Sequence, residues 1–347
     1  MRFLPLIFRL LLLVGFVAAL GNLTAEELTI VVIPRNGGDK PENAIRKGAE
    51  QAVVDFESSG CKIKLDWQAS QNEEEAEGQR QSLSRALARD PKVDGIILEA
   101  ADPTVLTAEL EAARDAEVPV IALNTRLDST LTTASLTTSE AESGRVAAEY
   151  MGELLKGKGN VMVLRNTQDS DVCEQREQGF IEGLRTNFPR INIISNSPCV
   201  GPTAATAYVG TQAILKFYSK DVNGLFTSAG PITEGANVAL NEAQLAGGKV
   251  VHIGCDTSDL LYDAMRAGDL QGLVAKDGFE LGRRSVKVLV EFIHGHSPAL
   301  QVGVPGKLIT TPPKASTAQP DVLPGVENAP SSLPPVNPPE SIPAPTP

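Results

Sequence analysis

Aromatic, histidine and cysteine residues are scarce in this chain of 347 residues. Phe, Trp and Tyr together make up 4% of it, and it contains one tryptophan, three histidines and four cysteines. The cysteines are Cys61, Cys173, Cys199 and Cys255, and neither they nor the histidines show the spacing of a metal site. We therefore expect no metal and no other cofactor. The cysteines of an exported protein can form disulfides. Cys173 and Cys199 are one candidate pair, although the sequence alone does not determine the connectivity.

Positive charge is also in short supply. The chain has 31 Lys and Arg against 43 Asp and Glu, a net charge of −12. Nucleic-acid binding needs clustered basic residues, and the sequence shows neither a basic stripe nor a helix-turn-helix pattern. It also lacks the G-x-S-x-G, H-E-x-x-H and P-loop patterns of common enzymes. The sequence thus predicts neither a nucleic-acid partner nor an enzyme. The alternative is an enzyme that uses carboxylates such as Glu99 and Glu174 for general acid–base catalysis.

The first 25 residues differ from the body of the chain. They contain two arginines, an apolar run over residues 10–20 and then small residues, the pattern of a cleaved secretory signal peptide. An uncleaved anchor is the alternative, although the run is short for a membrane span. Cleavage after Ala25, which we prefer to Gly21, would remove both arginines and leave 29 basic against 43 acidic residues, a net charge of −14.

The last segment, residues 312–347, is rich in Pro and Ser and poor in large apolar residues. Such a composition buries too little apolar surface to offset the entropy of folding. We expect a disordered, Pro-rich tail that serves as a spacer.

Between the two ends, short apolar runs alternate with amphipathic stretches. The runs are rich in Val and Ile, as in strands covered on both faces: 28–34, 62–68, 93–100, 118–124, 160–166, 191–196, 224–229, 249–256 and 270–277. The predicted helices are 41–58, 73–89, 104–116, 138–157, 173–188, 203–219, 233–246, 257–267 and 279–295. Repeated strand–helix–strand units predict parallel sheets flanked by helices. Nine strands are many for one sheet, so we expect an α/β protein with two doubly wound domains.

Polar residues follow most of the predicted strands. Doubly wound sheets bind ligands beyond the carboxyl ends of their strands, where helix N-termini also point. The residues at these positions are Arg35, Asn36, Asp39, Trp67, Gln68, Glu99, Asp102, Asn124, Thr125, Arg126, Arg165, Asn166, Asp256, Lys276 and Asp277. Helix capping is the alternative role for several of them, notably Asp102 and Asp256, which directly precede predicted helices.

Four segments together resemble a known family. They are VDGIILEAADPTVL (93–106), VPVIALNTRLDS (118–129), CEQREQGFIEGL (173–184) and VVHIGCDTSDLLYDAMRAGDLQGLVAKDGFELG (250–282). In order and spacing they resemble the ribose- and galactose-type periplasmic sugar-binding proteins of ABC transporters, in register from about Leu28 to Thr311. The resemblance covers the body of the chain and neither end.

The resemblance implies two Rossmann-like domains with a ligand cleft between them and a hinge of three crossovers. The crossovers fall near Thr137–Ser139, near Lys276 and near Pro305. An N-terminal lobe would then comprise residues 26–138 and 277–304, and a C-terminal lobe residues 139–276 and 305–311. This family has the type I periplasmic-binding fold, and the repressors that share its core carry a DNA-binding head that is absent here.

The resemblance also implies a function. We expect a monomeric periplasmic protein that captures a small polyhydroxylated solute, a sugar above all, by hinge closure and delivers it to an ABC permease. A receptor that reports to a membrane sensor is one alternative, and a sugar acid or another charged solute as the ligand is a second.

The ligand groups of the family map onto this sequence unevenly. Asp256 matches the family's carboxylate that accepts hydrogen bonds from sugar hydroxyls, and Asn124, with Arg126 nearby, matches the acid after the fourth strand. Further matches are Glu99 after the third strand, Glu174 with Arg176 at the first helix of the second domain, and Lys276 at the second crossover. Arg35 and Asn36 stand where the family places aromatic residues, and Trp67 offers either a stacking face for the sugar or a core residue.

Overall fold

A computed structural model describes residues 26–35, 43–68, 75–102, 104–125, 127–166, 170–195 and 200–310. The predicted signal peptide (1–25) and tail (312–347) lie outside the described residues, as do Asn36, Arg126 and Cys199. The described residues all belong to one compact unit. Within these ranges no helix combines the length and apolar character needed to span a membrane.

The described strands and helices alternate along the chain. The strands are β1 (Glu26–Ile33), β2 (Cys61–Trp67), β3 (Gly95–Leu98), β4 (Val120–Leu123), β5 (Ala134–Ser139), β6 (Gly159–Leu164), β7 (Ile191–Ser195), β8 (Gly224–Thr227), β9 (Val251–Cys255), β10 (Gly272–Ala275), β11 (Gln301–Pro305) and β12 (Lys307–Ile309). The helices are α1 (Ala44–Glu57), α2 (Glu75–Leu87), α3 (Thr107–Asp115), α4 (Glu140–Leu154), α5 (Asp171–Asn187), α6 (Ala204–Tyr218), α7 (Gly230–Glu242), α8 (Asp259–Ala267) and α9 (Gly278–Ile293).

The strands form two sheets of six. The first sheet has the order β2-β1-β3-β4-β5-β11, and all of its pairs are parallel. The second has the order β7-β6-β8-β9-β10-β12, in which only the β10–β12 pair is antiparallel. Two mainly parallel α/β sheets confirm the predicted fold class, and the nine predicted strands and nine predicted helices are all present.

The chain passes between the two sheets three times. It leaves the first sheet after β5, returns to it from β10 through α9, and crosses again at Gly306 between β11 and β12. The three passages meet at Gly306, because its backbone N–H donates to Ser143 Oγ at 2.8 Å and a Cβ there would lie 3.1 Å from the Ala275 carbonyl oxygen. The lobe boundaries given above stay predictions.

Each sheet has a core on both faces because successive side chains of a strand point in opposite directions. In β1, Ile30 and Val32 pack with α1 and α9, whereas Val31 and Ile33 pack with α2 and α3. The second sheet repeats this arrangement, with α4 and α5 on one face and α6 and α7 on the other. Burying a large aliphatic side chain contributes about 1.5–3 kcal/mol, so these cores supply most of the stability.

The sequence-based prediction was wrong for three strands and for the burial of a fourth. It missed β5, β11 and β12 as strands. β2 was expected to be covered on both faces, yet Lys62 and Lys64 are exposed because β2 is an edge strand of the first sheet. An edge strand that points lysines outward is protected against pairing with another chain.

Helices α4 and α5 cross at very short range. A Cβ on Gly144 would lie 2.0 Å from the carbonyl oxygen of Arg176, and a Cβ on Gly179 would lie 2.0 Å from that of Ala141. Only glycine permits such an approach of two backbones. The crossing places the first turn of α4, which begins at Glu140, beside the side chain of Arg176.

Candidate functional site

The two sheets end their fourth strands in the same way. Asn124 follows β4 with φ of 59°, and Asp256 follows β9 with φ of 64°. Each donates its backbone N–H to the next strand, Asn124 to the Leu136 carbonyl at 2.8 Å and Asp256 to the Val274 carbonyl at 3.0 Å. Asn and Asp tolerate this left-handed conformation better than other residues with a side chain. The turn places one polar side chain at the carboxyl edge of each sheet.

The Asp256 carboxylate is held at both oxygens. Oδ2 accepts from the backbone N–H of Gly230 at 3.1 Å, and Oδ1 accepts from Arg176 Nη1 at 3.0 Å. The alternative role of Asp256 as N-cap of the helix that follows it is wrong, since Ser258 caps α8 by accepting from Leu261 N–H. Asp256 instead satisfies the first N–H of α7, whose own N-cap residue makes no side-chain hydrogen bond. Its side chain stays 45% exposed, so the carboxylate can still accept from a ligand.

Arg176 lies beneath this carboxylate. It is a buried residue of α5, and its Nε donates to Glu140 Oε2 at 2.6 Å while Nη1 also donates to the Ser228 carbonyl at 3.0 Å. Burial alone would lower the pKa of Arg176, but the nearby acidic groups of Cys255, Asp256 and Glu140 outweigh it and raise the pKa. Arg176 therefore carries a permanent positive charge between two carboxylates.

The first sheet contributes a second polar pair. Asn124 Nδ2 donates to Glu99 Oε1 at 2.6 Å, which joins the ends of β4 and β3. Buried Gln79 fixes the ends of two strands, since its Nε2 donates to the carbonyls of Pro34 and Glu99 and its Oε1 accepts from Ala101 N–H. The sequence analysis did not single out Gln79, because this residue lies within a helix in the sequence and does not follow a predicted strand.

Glu177 has the same function in the second sheet. This buried carboxylate accepts from Arg165 Nε at 2.7 Å, from Ser228 Oγ at 2.7 Å and from Asn166 N–H at 3.3 Å. Arg165 and Asn166 follow β6 and Ser228 follows β8. Of the strand-end residues singled out from the sequence, Arg165 and Asn166 thus bind a structural carboxylate.

Lys276 links the two sheets electrostatically. It follows β10, and the surrounding protein lowers its pKa by desolvation, an effect opposed by the carboxylates of Glu99 and Glu140 and assisted by Arg35. These neighbours come from both sides of the molecule, because Arg35 and Glu99 follow β1 and β3 of the first sheet. The carboxyl ends of the two sheets therefore face a common region.

Charges alternate along this region. The sequence of groups is Asp256, Arg176, Glu140, Lys276 and Glu99, negative and positive in turn, and Asn124 ends the series. Glu140 was not predicted as a site residue. The available signal was its position at the first residue of the helix that follows the first crossover.

Trp67 packs against the core of the first sheet, and the guanidinium carbon of Arg46 lies 5.0 Å from the centre of its ring. This cation–π contact covers one ring face. Trp67 and Glu99 also line a small cavity with Asn43 and Ile45. Core packing and the contact with Arg46 are therefore observed roles of Trp67.

Glu174 lies apart from the charged series. It is exposed on the first turn of α5 and lines a surface groove with Arg165, Gln178 and Arg185. Within the described part of the chain it shares no hydrogen bond or ion pair with Arg176 or Asp256. The structure thus brings together Arg35, Glu99, Asn124, Arg176, Asp256 and Lys276, whereas Asn36 and Arg126 lie outside the described residues.

Two other acids stabilise local backbone. Asp277 is the N-cap of α9 and accepts from Glu280 N–H at 3.0 Å. The alternative role of Asp102 as a helix cap is wrong, because Leu106 is the N-cap of α3 and Asp102 accepts from the backbone N–H and the hydroxyl of Thr104. Cys173 and Cys255 are buried thiols, and Cys173 Sγ contacts the Ser228 carbonyl. Over the described residues no cluster of His, Cys, Asp and Glu has the composition of a metal site.

Two mainly parallel sheets with polar groups at the carboxyl ends of the strands of both have the architecture of a two-lobed solute-binding protein. Residues 30–297 match the family model described as "Periplasmic binding protein domain". The chain belongs to this family, which confirms the resemblance seen in the sequence.

Relatives of this chain have named solutes. It is 24% identical over 198 residues to the "D-apiose import binding protein" of Actinobacillus succinogenes, across 57% of this chain and 62% of that protein's length. It is 26% identical over 233 residues to the "Galactofuranose-binding protein YtfQ" of Escherichia coli, across 64% and 70% of the two chains.

Solved structures share the fold. One is the XylFII–LytSN complex, with a TM-score of 0.67 and 20% identity over 82% of this chain and 98% of that one. Another is AraP, an arabinose-binding protein from Geobacillus stearothermophilus, with a TM-score of 0.58 and 22% identity over 82% and 96%. At these identities the likeness concerns the fold.

Proposed function

We propose that this protein is an exported solute-binding protein that captures a neutral polyhydroxylated solute, a sugar, between its two sheets and delivers it to an ABC permease. The observation that carries the proposal is that Asn124 and Asp256 are held in matching left-handed turns, one at the carboxyl edge of each sheet. The names of the apiose and galactofuranose relatives support a sugar as the solute.

The chemistry of the site suits hydroxyl groups. Asp256 is partly exposed and supplies carboxylate oxygens that accept from neighbouring sugar hydroxyls in charge-assisted hydrogen bonds. Asn124 and Glu99 at the first sheet, together with Lys276 after β10 of the second, supply both donors and acceptors. A hydroxyl both donates and accepts, so it can bind either kind of group. Arg35 and the two predicted contacts outside the described residues, Asn36 and Arg126, complete the proposed ligand set.

Three other predicted contacts have weaker support. Trp67 already has Arg46 over one ring face, Arg176 is engaged by two carboxylates, and Glu174 is exposed on the outer groove. We propose that Arg176 acts through Asp256 and that Trp67 and Glu174 contribute little to the affinity.

Neutral solutes are favoured over sugar acids and sugar phosphates. Arg176 lies between the carboxylates of Glu140 and Asp256, and the negative charges of Glu99 and Glu140 act on Lys276. Cations that are already balanced offer little to an anionic ligand, which would also face the carboxylate of Asp256. This argues against the charged-solute alternative.

Delivery to a permease is preferred to reporting to a membrane sensor. Two relatives are named as import proteins: the apiose protein and the "ABC transporter periplasmic-binding protein YphF" of Escherichia coli. We propose a periplasmic location after cleavage of the predicted signal peptide, a monomeric state, no catalytic activity and closure about the hinge at Gly306.

A thermal-shift screen tests the proposal. The panel consists of D-apiose, D-arabinose, D-ribose, D-galactose and myo-inositol, with D-galacturonate and ribose 5-phosphate as charged counterparts. A ligand at 100 times its Kd adds about 2.7 kcal/mol to the free energy of unfolding, which raises the Tm measurably. We expect a neutral member to raise the Tm. A rise with only the charged members would overturn the choice of solute class.

A further inference from the structure

Glu140 occupies a particular place in the fold. It is the first residue of α4 and comes directly after β5, where the chain first leaves the first sheet. Its side chain is 15% exposed, and its Oε2 lies 2.6 Å from Nε of Arg176, whose side chain is 10% exposed. The Coulomb attraction within an ion pair so well shielded from solvent is stronger than that within a surface pair.

The guanidinium is divided between two carboxylates. Nε faces Glu140, and Nη1 faces both Asp256 Oδ1 and the Ser228 carbonyl. Glu140 and Arg176 are nearly enclosed, whereas the Asp256 side chain is 45% exposed. Of the three groups, Asp256 is thus the one that a solute in the cleft can reach.

The charge balance gives Glu140 a consequence for binding. Two carboxylates and one guanidinium leave the group with a net charge of −1. Because Glu140 already neutralises Arg176, Asp256 keeps most of its negative charge available to outside donors. Without the Glu140 charge, Arg176 and Asp256 would form an ion pair with no net charge. Asp256 would then accept more weakly from solute hydroxyls.

We propose that Glu140 is a positioning residue of the solute site. It acts through Arg176 to hold the Asp256 carboxylate in place and to leave its negative charge available to solute hydroxyls, without touching the solute itself. The inference rests on the proposed function in that Asp256 is taken as a solute contact. Glu140, a residue at the first crossover, would then help to determine the affinity of the site and its preference for neutral over charged solutes.

Glu140→Gln tests this directly, because the amide keeps the shape and one acceptor oxygen while losing the charge. Glu142→Gln is the matched control, since Glu142 lies in the same turn of α4 but pairs with Arg145 on the surface. Calorimetry with each panel sugar that binds the wild type should show an affinity about tenfold or more weaker for Glu140→Gln, and unchanged for Glu142→Gln.

Two further readouts separate positioning from a general structural role. Ligand-free Glu140→Gln should still unfold in one cooperative transition, because the amide oxygen can accept from Arg176 Nε and Asp256 remains as a counter-ion of Arg176. The ratio of the Kd of D-galacturonate to that of D-galactose should fall in Glu140→Gln, since a negative charge has been removed. A wild-type affinity, or a loss of affinity matched by a large drop in Tm and an unchanged ratio, would overturn the proposal.

A crystal structure of ligand-free Glu140→Gln decides the matter even if no panel sugar binds the wild type. We expect the Asp256 carboxylate to turn towards Arg176 and leave the Gly230 N–H. Asp256 and Arg176 in their wild-type positions would overturn the positioning role. If no panel sugar binds the wild type, that result counts against the proposed function. The crystal structure still tests the role of Glu140, because it does not depend on the sugar.

Discussion

Asn124 and Asp256 occupy equivalent positions in the two sheets, each in a left-handed turn directly after the fourth strand. Their partners differ in a way that matters. Asn124 donates to the carboxylate of Glu99, whereas Asp256 accepts from Arg176 and from the start of α7. One sheet therefore presents an amide paired with an acid, and the other presents an acid paired with a base. A solute between them meets donors and acceptors on both sides.

Stability should fall at acidic pH because of His252. This histidine is fully buried in β9, burial lowers its pKa to about 3, and Nε2 lies 3.2 Å from Thr227 Oγ1. In the unfolded chain its pKa returns to about 6.5, so between these values the unfolded state binds a proton that the folded state does not. The free energy of unfolding should decrease by about 1.4 kcal/mol per pH unit below about pH 6 from this group alone.

Chemical denaturation at pH 7.0 and at pH 4.5 measures this loss. His252→Gln should show less pH dependence than the wild type over that interval, and the exposed control His296→Gln should match the wild type. An identical pH dependence in all three proteins would show that the protonation of His252 is not coupled to unfolding.

The crossing of α4 and α5 should not tolerate a methyl group. In Gly144→Ala the new Cβ would lie 2.0 Å from the Arg176 carbonyl oxygen, so the helices must separate. Overpacking of this kind typically costs about 1–3 kcal/mol, and here it also pulls Arg176 away from Glu140. Denaturation should show the lower stability, and calorimetry should show a weaker affinity for the solute. Wild-type values for both would contradict the close approach of these two helices.

Lys276→Gln distinguishes a neutral solute from an anionic one. Because the negative charges of Glu99 and Glu140 already act on Lys276, this residue is not expected to hold an anionic group of the solute. Calorimetry with a neutral sugar and its matched sugar acid should therefore give losses within about threefold of each other. A strong loss confined to the acid would restore the charged-solute alternative.

Local patterns were enough for most of the fold. Continuous Val- and Ile-rich runs indicated buried parallel strands, and the nine helices lay where the periodicity changed. β5 (ASLTTS), β11 and β12 carry no such pattern. These strands lie next to the crossovers, and they form by pairing with a neighbouring strand of their sheet. Pairing with a partner far along the chain leaves little trace in a short polar segment.

The site was less accessible from sequence. Strand-end positions identified Asp256, Asn124, Glu99 and Lys276 as neighbours of a common region. The environment of Arg176 could not be predicted, because its partners lie 36, 52 and 80 residues away along the chain. Arg176, a predicted solute contact, is buried at the helix crossing and donates to the carboxylates of Glu140 and Asp256.

Calorimetric titration of wild type and Asp256→Ala with the sugar that most stabilises the wild type tests most directly whether Asp256 binds the solute. We expect tight binding to the wild type and a loss of about 2–5 kcal/mol of binding free energy in the variant, with the ligand-free fold intact by circular dichroism. The control Asp263→Ala removes an exposed acid of α8 that pairs with Arg266, and should bind as the wild type does. Equal affinity of Asp256→Ala and wild type would show that Asp256 only supports Arg176 and the start of α7, and would contradict the proposed site.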